Sequence, residues 1–251
     1  MSVIAPCITV ESEEQFKAAV ERIQPFAKRV HIDISDGEFA PVFLLATDKL
    51  WWPKEWVVDI HAMVARPTEH VDALIALKPN LITFHVETGV NLPPIMEKIR
   101  QAGIKAGIAL LKQTVPMTVA GAEGGADQGP VFFREFGQSG GARRRRGRGG
   151  RPRGGVLGDL GAADHVMIFS GDLGHYGGTA SMMQLEKARL VRAIKPNVEI
   201  GWDGGVSVDN AYTLTQGGID VLNVGGAIAN SDNPAGVYAK LEQEISKRGV
   251  I

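Results

Sequence analysis

Cysteine is almost absent from this chain of 251 residues: Cys7 is the only one. No intrachain disulfide can form and no cysteine cluster can hold a metal, so any metal centre must be built from histidine and carboxylate. Long apolar runs are missing too. Without a stretch of about 20 uninterrupted apolar residues there is no membrane-spanning helix to expect. The opening MSVIAPCITV lacks the basic start and cleavage site of a secretory signal, so a cytoplasmic protein with no membrane partner is expected. Neither sign of charge dominates: 27 basic residues face 28 acidic ones. With 44% hydrophobic and 22% charged residues, the composition is that of an ordinary folded soluble protein. The length fits one large α/β barrel without requiring a domain boundary.

Lysine disappears from one window. None occurs from Gln113 to Glu186, although both flanks use it freely. Within that window, about 117–161 is rich in Gly and Arg and offers no periodic apolar face. It is read as a disordered or aberrant insert in a single domain spanning 1–251, either a local insertion or an out-of-frame reading. Seven arginines between Arg143 and Arg153 conceal the acidity of the remainder, which without them carries about −8. Arginine runs of this kind can neutralise nucleic-acid phosphates without reading sequence, but interleaved aromatics are missing and a solvated loop is the preferred reading.

What is present elsewhere is alternation. Short β-branched and apolar runs at 3–9, 29–34, 56–64, 81–87, 105–111, 165–170, 198–202 and 221–224 predict eight strands. Between them lie amphipathic stretches such as Phe16, Ala19, Val20 and Ile23, or Leu185, Ala188, Val191 and Ile194. Asp232 and Asn233 before Pro234 mark the start of a last helix reaching about Lys247. Eight such units favour a closed (β/α)8 TIM barrel, with an open doubly wound sheet as the alternative.

Chemistry concentrates at the predicted C-terminal strand ends. In HIDISDG, His31 and Asp33 share one face of the second strand because side chains alternate. DIHAM on the third strand adds His61, on one face with Asp59 and Met63, and WDGG closes the seventh with Asp203. Barrel enzymes place catalytic groups there. Imidazole and carboxylate in this combination suit one divalent ion, whether Zn, Fe, Mn or Co. Gly204 and Gly205 follow the seventh strand, Gly225 and Gly226 the eighth, and Gly177 and Gly178 the sixth. Barrels often bind phosphate at the late strand ends through backbone N–H groups, and glycine permits the close approach. His85 in ITFHVE is open to two readings, substrate contact or buried core histidine. Trp51 and Trp52 are read as loop packing.

The motifs IAPCITV, HIDISDGEFAP, DIHAMVARP, ITFHVE, GIKAGIALL, GWDGGV and VGGAI occur in the order in which the ribulose-phosphate 3-epimerase family carries them, and the chain resembles that family at both ends. The resemblance implies that His31, Asp33, His61 and Asp203 are metal ligands and that Asp33 and Asp203 are also the acid/base pair. It further implies a ketose-phosphate substrate with Cys7, His85 and the three glycine pairs around it, no organic cofactor, and a homo-oligomer. Inverting a carbon next to a ketone removes a proton from one face and returns one to the other, which calls for two carboxyl groups. A cation stabilises the enediolate between the two steps. D-ribulose 5-phosphate is the favoured substrate.

The chain also departs from the family pattern. Cys7 stands where serine is common, Ser35 and Phe169 where methionines wall the metal, and Ala62 where leucine is common. The usual Asn-Pro-Gly-Phe-Gly-Gly-Gln loop reads SGDLGHYGG over 170–178, adding Asp172, His175 and Tyr176. An allulose 6-phosphate epimerase, or a barrel that binds metal and phosphate without turnover, are the other readings. A decarboxylase or hexulose-phosphate synthase type of barrel would want a lysine beside the acidic residues, and neither HIDISDG nor DIHAM contains one.

Overall fold

A computed structural model of the protein describes residues 2–119 and 160–247. Eight strands, β1 (Val3–Ile8), β2 (Arg29–Ser35), β3 (Val57–Met63), β4 (Leu81–His85), β5 (Lys105–Leu110), β6 (His165–Phe169), β7 (Glu199–Asp203) and β8 (Val221–Val224), close into a barrel in chain order. Every neighbouring pair is parallel, and β8 returns to β1. The closed TIM barrel replaces the open-sheet alternative. Strand ends fall within a residue or two of those expected. β4 stops at His85, two residues early, because Val86–Thr88 turns into a 3-10 helix that ends at Gly89 with φ of 70°.

Helices cover the outside: α1 (Glu13–Ile23) after β1, α2 (Pro67–Ala76) after β3, α3 (Pro93–Gln101) after β4, α4 (Leu185–Ile194) after β6 and α5 (Val208–Gln216) after β7. The short α6 (Gly226–Ala229) and the long α7 (Pro234–Ser246) follow β8. Local chemistry sets their starts. The Ser12 hydroxyl accepts from the Gln15 amide while the Gln15 side chain accepts from the Ser12 amide, a reciprocal cap. Asn233 accepts from the Gly236 amide ahead of α7, where Pro234 loses nothing by lacking an N–H. Phe16, Val20 and Ile23 of α1 and Ala188 and Val191 of α4 are buried, the faces that the spacing predicts. No helix among the described residues is long and apolar enough to cross a membrane.

Alternation along each strand divides the molecule. Ile32, Ile60, Ile82, Ile108, Ile168 and Ile200 face outward under the helices and are all but completely buried. Their neighbours face inward and are unusually polar. At the lower end of the barrel Arg29 reaches Asp59 at 2.5 Å and holds Glu199 with two hydrogen bonds of 2.7 and 2.9 Å. Asn80 donates to Asp59, and His165 Nδ1 lies 2.9 Å from Glu199. Gly201 makes room for the imidazole, since a Cβ there would stand 2.6 Å from His165 Nε2. Asp59, expected on one face with His61, therefore belongs to this ionic floor and not to the upper end.

Among the described residues, only 3-10 turns follow β2 (Thr47–Lys49) and β5 (Pro116–Thr118 and Leu160–Ala162). Of the segment 117–161 read as an insert, 120–159 lie outside the described residues, as does the arginine run. Its described edges are ordered: Val119 and Leu160 are buried in the core and the Leu160 amide donates to the Val119 carbonyl at 2.9 Å. Residues 119 and 160 thus already meet. Deleting 121–155 is expected to preserve cooperative unfolding and Zn²⁺ binding, measured by denaturant titration and calorimetry; loss of both on deletion would contradict the insert reading.

Candidate metal centre and the cavity above it

Two strands do most of the positioning. Because Ile32 and Ile34 point outward, His31 and Asp33 of β2 point inward, and the β2–β3 register sets Asp33 beside His61. Asp203 ends β7, between β6 and β8 in the closed ring. The four residues are buried, and one ligand atom from each lies within 4.8 Å of all the others. Asp33 Oδ1 is 3.2 Å from His31 Nε2 and 2.8 Å from His61 Nδ1, while Asp203 Oδ2 is 3.7 Å from each of the same two nitrogens. Two nitrogens and two carboxylates converging in a buried site form a donor set that fits a borderline divalent cation.

The second nitrogen of His61 is also engaged. Nε2 lies 2.8 Å from His85 Nε2, and His85 Nδ1 lies 3.2 Å from Glu87. Glu87 accepts in turn from the Leu111 amide at 2.8 Å and from the Thr114 hydroxyl. With His61 Nδ1 turned to a metal, its Nε2–H donates to His85, whose Nδ1–H donates to Glu87. Such outer contacts fix tautomer and ring orientation. Phe39, 4.7 Å from the His85 ring, and Phe169, 5.8 Å from the rings of both His61 and His85, exclude water from this side.

Above the cluster opens a cavity of about 240 Å³. Cys7, Asp33, Asp203 and the glycine pairs after β6, β7 and β8 all line it, so the structure brings these separately predicted residues into one space. His85 does not line it; fully buried, it stands behind His61. Two of the glycine pairs are required by geometry. Gly204 and Gly205 have φ of 100° and 70°, and a Cβ on either would sit 2.0 Å and 2.1 Å from the backbone nitrogens of Gly171 and Ala180. Gly177 and Gly178 also have positive φ, 98° and 81°.

The model of the "Ribulose-phosphate 3 epimerase family" matches residues 3–121. A ribulose-phosphate 3-epimerase of Rhodobacter capsulatus is 25% identical over 246 residues, covering 94% of this chain and 91% of that protein. One from Treponema pallidum is 33% identical over 95 residues, an alignment that covers 35% of this chain and spans only 42% of that relative's length. By sequence, the chain is similar to ribulose-phosphate 3-epimerases, with the family match confined to residues 3–121. A crystal structure of 3-hexulose-6-phosphate synthase from Salmonella typhimurium superposes with a TM-score of 0.61 at 13% identity, covering 98% of each chain, a likeness of fold alone.

The cavity walls include several side chains that sequence reasoning passed over. Thr9, just past β1, lines the cavity and donates to Asp33 Oδ2 at 2.5 Å. Ser207, Val206 and Asn230 line it as well. Of the unusual 170–178 loop, Asp172, His175 and Tyr176 all reach the cavity wall. Glu87 also went unnoticed, although its spacing of two from His85 in HVE was visible. Ser35 turns to its own loop, where its hydroxyl accepts from the Gly37 amide. Trp51 packs edge-to-face on Phe16, with ring centroids 5.9 Å apart, in keeping with a loop-packing role.

Burial and mutual charge drive the ionisation of the cluster apart. Burial pushes Asp203 up to about 7, with the neighbouring Asp33 charge adding to it against the pull of His31. Burial opposes the Asp33 charge as well, but the two imidazoles hold that carboxyl well below the usual range. Burial opposes charge on His31, yet Asp33 and Asp203 win and raise it to about 9, whereas His61 is lowered to about 4 chiefly by burial. Burial, with Asp203 and Asp33 nearby, pushes the Cys7 thiol up, so it stays protonated near neutral pH. A metal needs its ligands deprotonated. The protons held by His31 and Asp203 therefore compete with it, and affinity rises with pH. Calorimetric titration with Zn²⁺ in buffers of different ionisation enthalpy is expected to show proton release at pH 7 and tighter binding at pH 8 than at pH 6. Binding independent of pH across that range would refute this set of ligands.

Proposed function

We propose that the protein is a metal-dependent epimerase that inverts C3 of a ketose phosphate, most simply D-ribulose 5-phosphate to D-xylulose 5-phosphate. The observation that carries this reading is that two carboxyl groups with opposed ionisation, Asp33 and Asp203, face the same cavity as three glycine pairs. The glycines suit a phosphate at one end of a small substrate. The carboxyls suit proton transfer at the other. The relatives' names agree with the class of reaction.

The chain's own residues divide the work. His31 and His61 hold the cation together with Asp33 and Asp203. When bound, a divalent cation supplies Lewis-acid stabilisation of the two oxygens of the enediolate. Asp33 takes the C3 proton and Asp203 returns one from the other face; the roles exchange in the reverse direction. Asp33 enters from β2 and Asp203 from β7, strands separated in the ring by β1 and β8, as delivery from two sides requires. Phe169 and Met63 line the wall between them and limit access of water. No organic cofactor has a part in this chemistry. Among the described residues, those lining the cavity include no lysine, which the synthase-type alternative would call for.

The test is a coupled assay of D-ribulose 5-phosphate epimerisation after loading with Zn²⁺, Mn²⁺ or Fe²⁺. Asp33→Asn and Asp203→Asn are each expected to lower kcat by about 10³-fold or more. Undiminished turnover in either would sink the two-carboxylate mechanism. A folded wild type that binds metal but epimerises no ketose phosphate would establish the degenerate barrel instead.

A further inference from the structure

Asp33 has two carboxylate oxygens with different surroundings. Oδ1 faces His31 and His61. Oδ2 faces away from both imidazoles and accepts a hydrogen bond of 2.5 Å from the Thr9 hydroxyl. The barrel register makes this contact: β1 pairs Cys7 with His31 and Ile8 with Ile32, so the next residue of β1's path, Thr9, comes level with Asp33. Thr9 lies beyond the last paired residue of β1, where the ladder no longer holds the backbone.

A side chain from another part of the molecule holds it instead. The Tyr176 hydroxyl accepts from the Thr9 amide at 2.7 Å and donates to the Cys7 carbonyl at 3.3 Å, bracketing the end of β1. Tyr176 reaches across from the loop after β6, in which Gly174, Gly177 and Gly178 adopt positive φ. Its ring passes over Gly225, where a Cβ would come within 2.9 Å of it. A hydroxyl on Tyr176, a backbone segment at the end of β1 and a hydroxyl on Thr9 therefore form one chain ending on the carboxyl proposed as base.

The geometry points to Thr9 as a positioning residue for the Asp33 base, held in place by the Tyr176 hydroxyl, so that the loop after β6 aims the carboxylate as well as covering the cavity. This inference rests on the epimerase reading above. Of the bonds that Asp33 makes, those on Oδ1 face the metal cluster, and the Thr9 bond on Oδ2 restrains the carboxylate from the other side. A carboxylate free to rotate spends less time aligned with the C–H bond, and small misplacements of reacting groups cost up to about 100-fold in rate. Because Thr9 bonds Oδ2 and not Oδ1, the oxygen that faces the two imidazoles, its loss lowers kcat and leaves metal affinity and KM in place.

The experiment compares wild type, Thr9→Val, Thr9→Ser, Tyr176→Phe and the Thr9→Val/Tyr176→Phe double variant, all loaded with Zn²⁺. It reads kcat and KM for D-ribulose 5-phosphate, wash-out of the C3 proton into D₂O by NMR, and Zn²⁺ affinity by calorimetry. Valine keeps the volume and removes the hydroxyl. We expect Thr9→Val to lower kcat and proton wash-out by about 10- to 100-fold, with KM and Zn²⁺ affinity within about threefold of wild type. Serine should restore most of the rate, Tyr176→Phe should lower kcat in the same direction, and the double variant should be no slower than Thr9→Val alone, because both act through one chain of bonds. Wild-type wash-out by Thr9→Val, a serine variant as slow as valine, or collapse of Zn²⁺ affinity would each overturn the positioning role. Additive losses in the double variant, or a Tyr176→Phe variant as fast as wild type, would overturn the link to the loop. Failure of the wild type itself to exchange the proton would reject the parent reading, a result distinct from all of these.

Discussion

Two carboxyl groups, Asp33 and Asp203, are buried in a parallel barrel with an oxygen of each within 4.8 Å of the other, and the rest of the site is arranged around that repulsion. In so dry a place two like charges are too costly to coexist unpaired. His31 and His61 offset one of them by standing within hydrogen-bonding reach of Asp33, and Asp203 retains its proton. A divalent cation offsets both. The difference in ionisation that suits the pair to acid/base work is thus the same fact that makes the cluster a metal centre. The Glu87 and His85 chain behind His61, and the Thr9 and Tyr176 chain beside Asp33, each fix one further degree of freedom of the cluster.

The barrel separates this upper site from a second buried charge network. Arg29 holds Asp59 and Glu199 at the lower end, on the strands that carry His31, His61 and Asp203 at the upper end. Two residues of rise along β2 divide Arg29 from His31, and two more reach Asp33. The inward positions of that strand are Arg29, His31, Asp33 and the polar Ser35, and every outward one is apolar. An arrangement with so little hydrophobic filling inside the barrel places the stabilising burial in the layer between strands and helices.

Much of this was readable before any coordinates. The two-residue alternation of HIDISDG and DIHAM fixed which side chains share a face, and the glycines after WDGG and VGG marked the open end. The four candidate ligands lie at strand ends that those local rules single out, and the family resemblance names them as a set. What escaped notice depended on which strands become neighbours. Thr9 meets Asp33 only because β1 pairs with β2 in one register, and Glu87 braces His61 only through His85 and the turn at Leu111. Tyr176 was visible as a departure from the family loop, but its two bonds to the end of β1 lie 167 and 169 residues away along the chain. His85, read as either substrate contact or core histidine, stands behind the metal ligand and out of the cavity. At the described edges of the segment taken for an insert, Val119 and Leu160 are buried in the core.

The most direct test of the account is crystallographic: crystals of the Zn²⁺-loaded protein, with anomalous diffraction collected on both sides of the zinc absorption edge. The account predicts one strong anomalous peak ringed by His31, Asp33, His61 and Asp203, with ligand distances near 2.0–2.2 Å. No peak at that position, or a peak held by other residues, would contradict it.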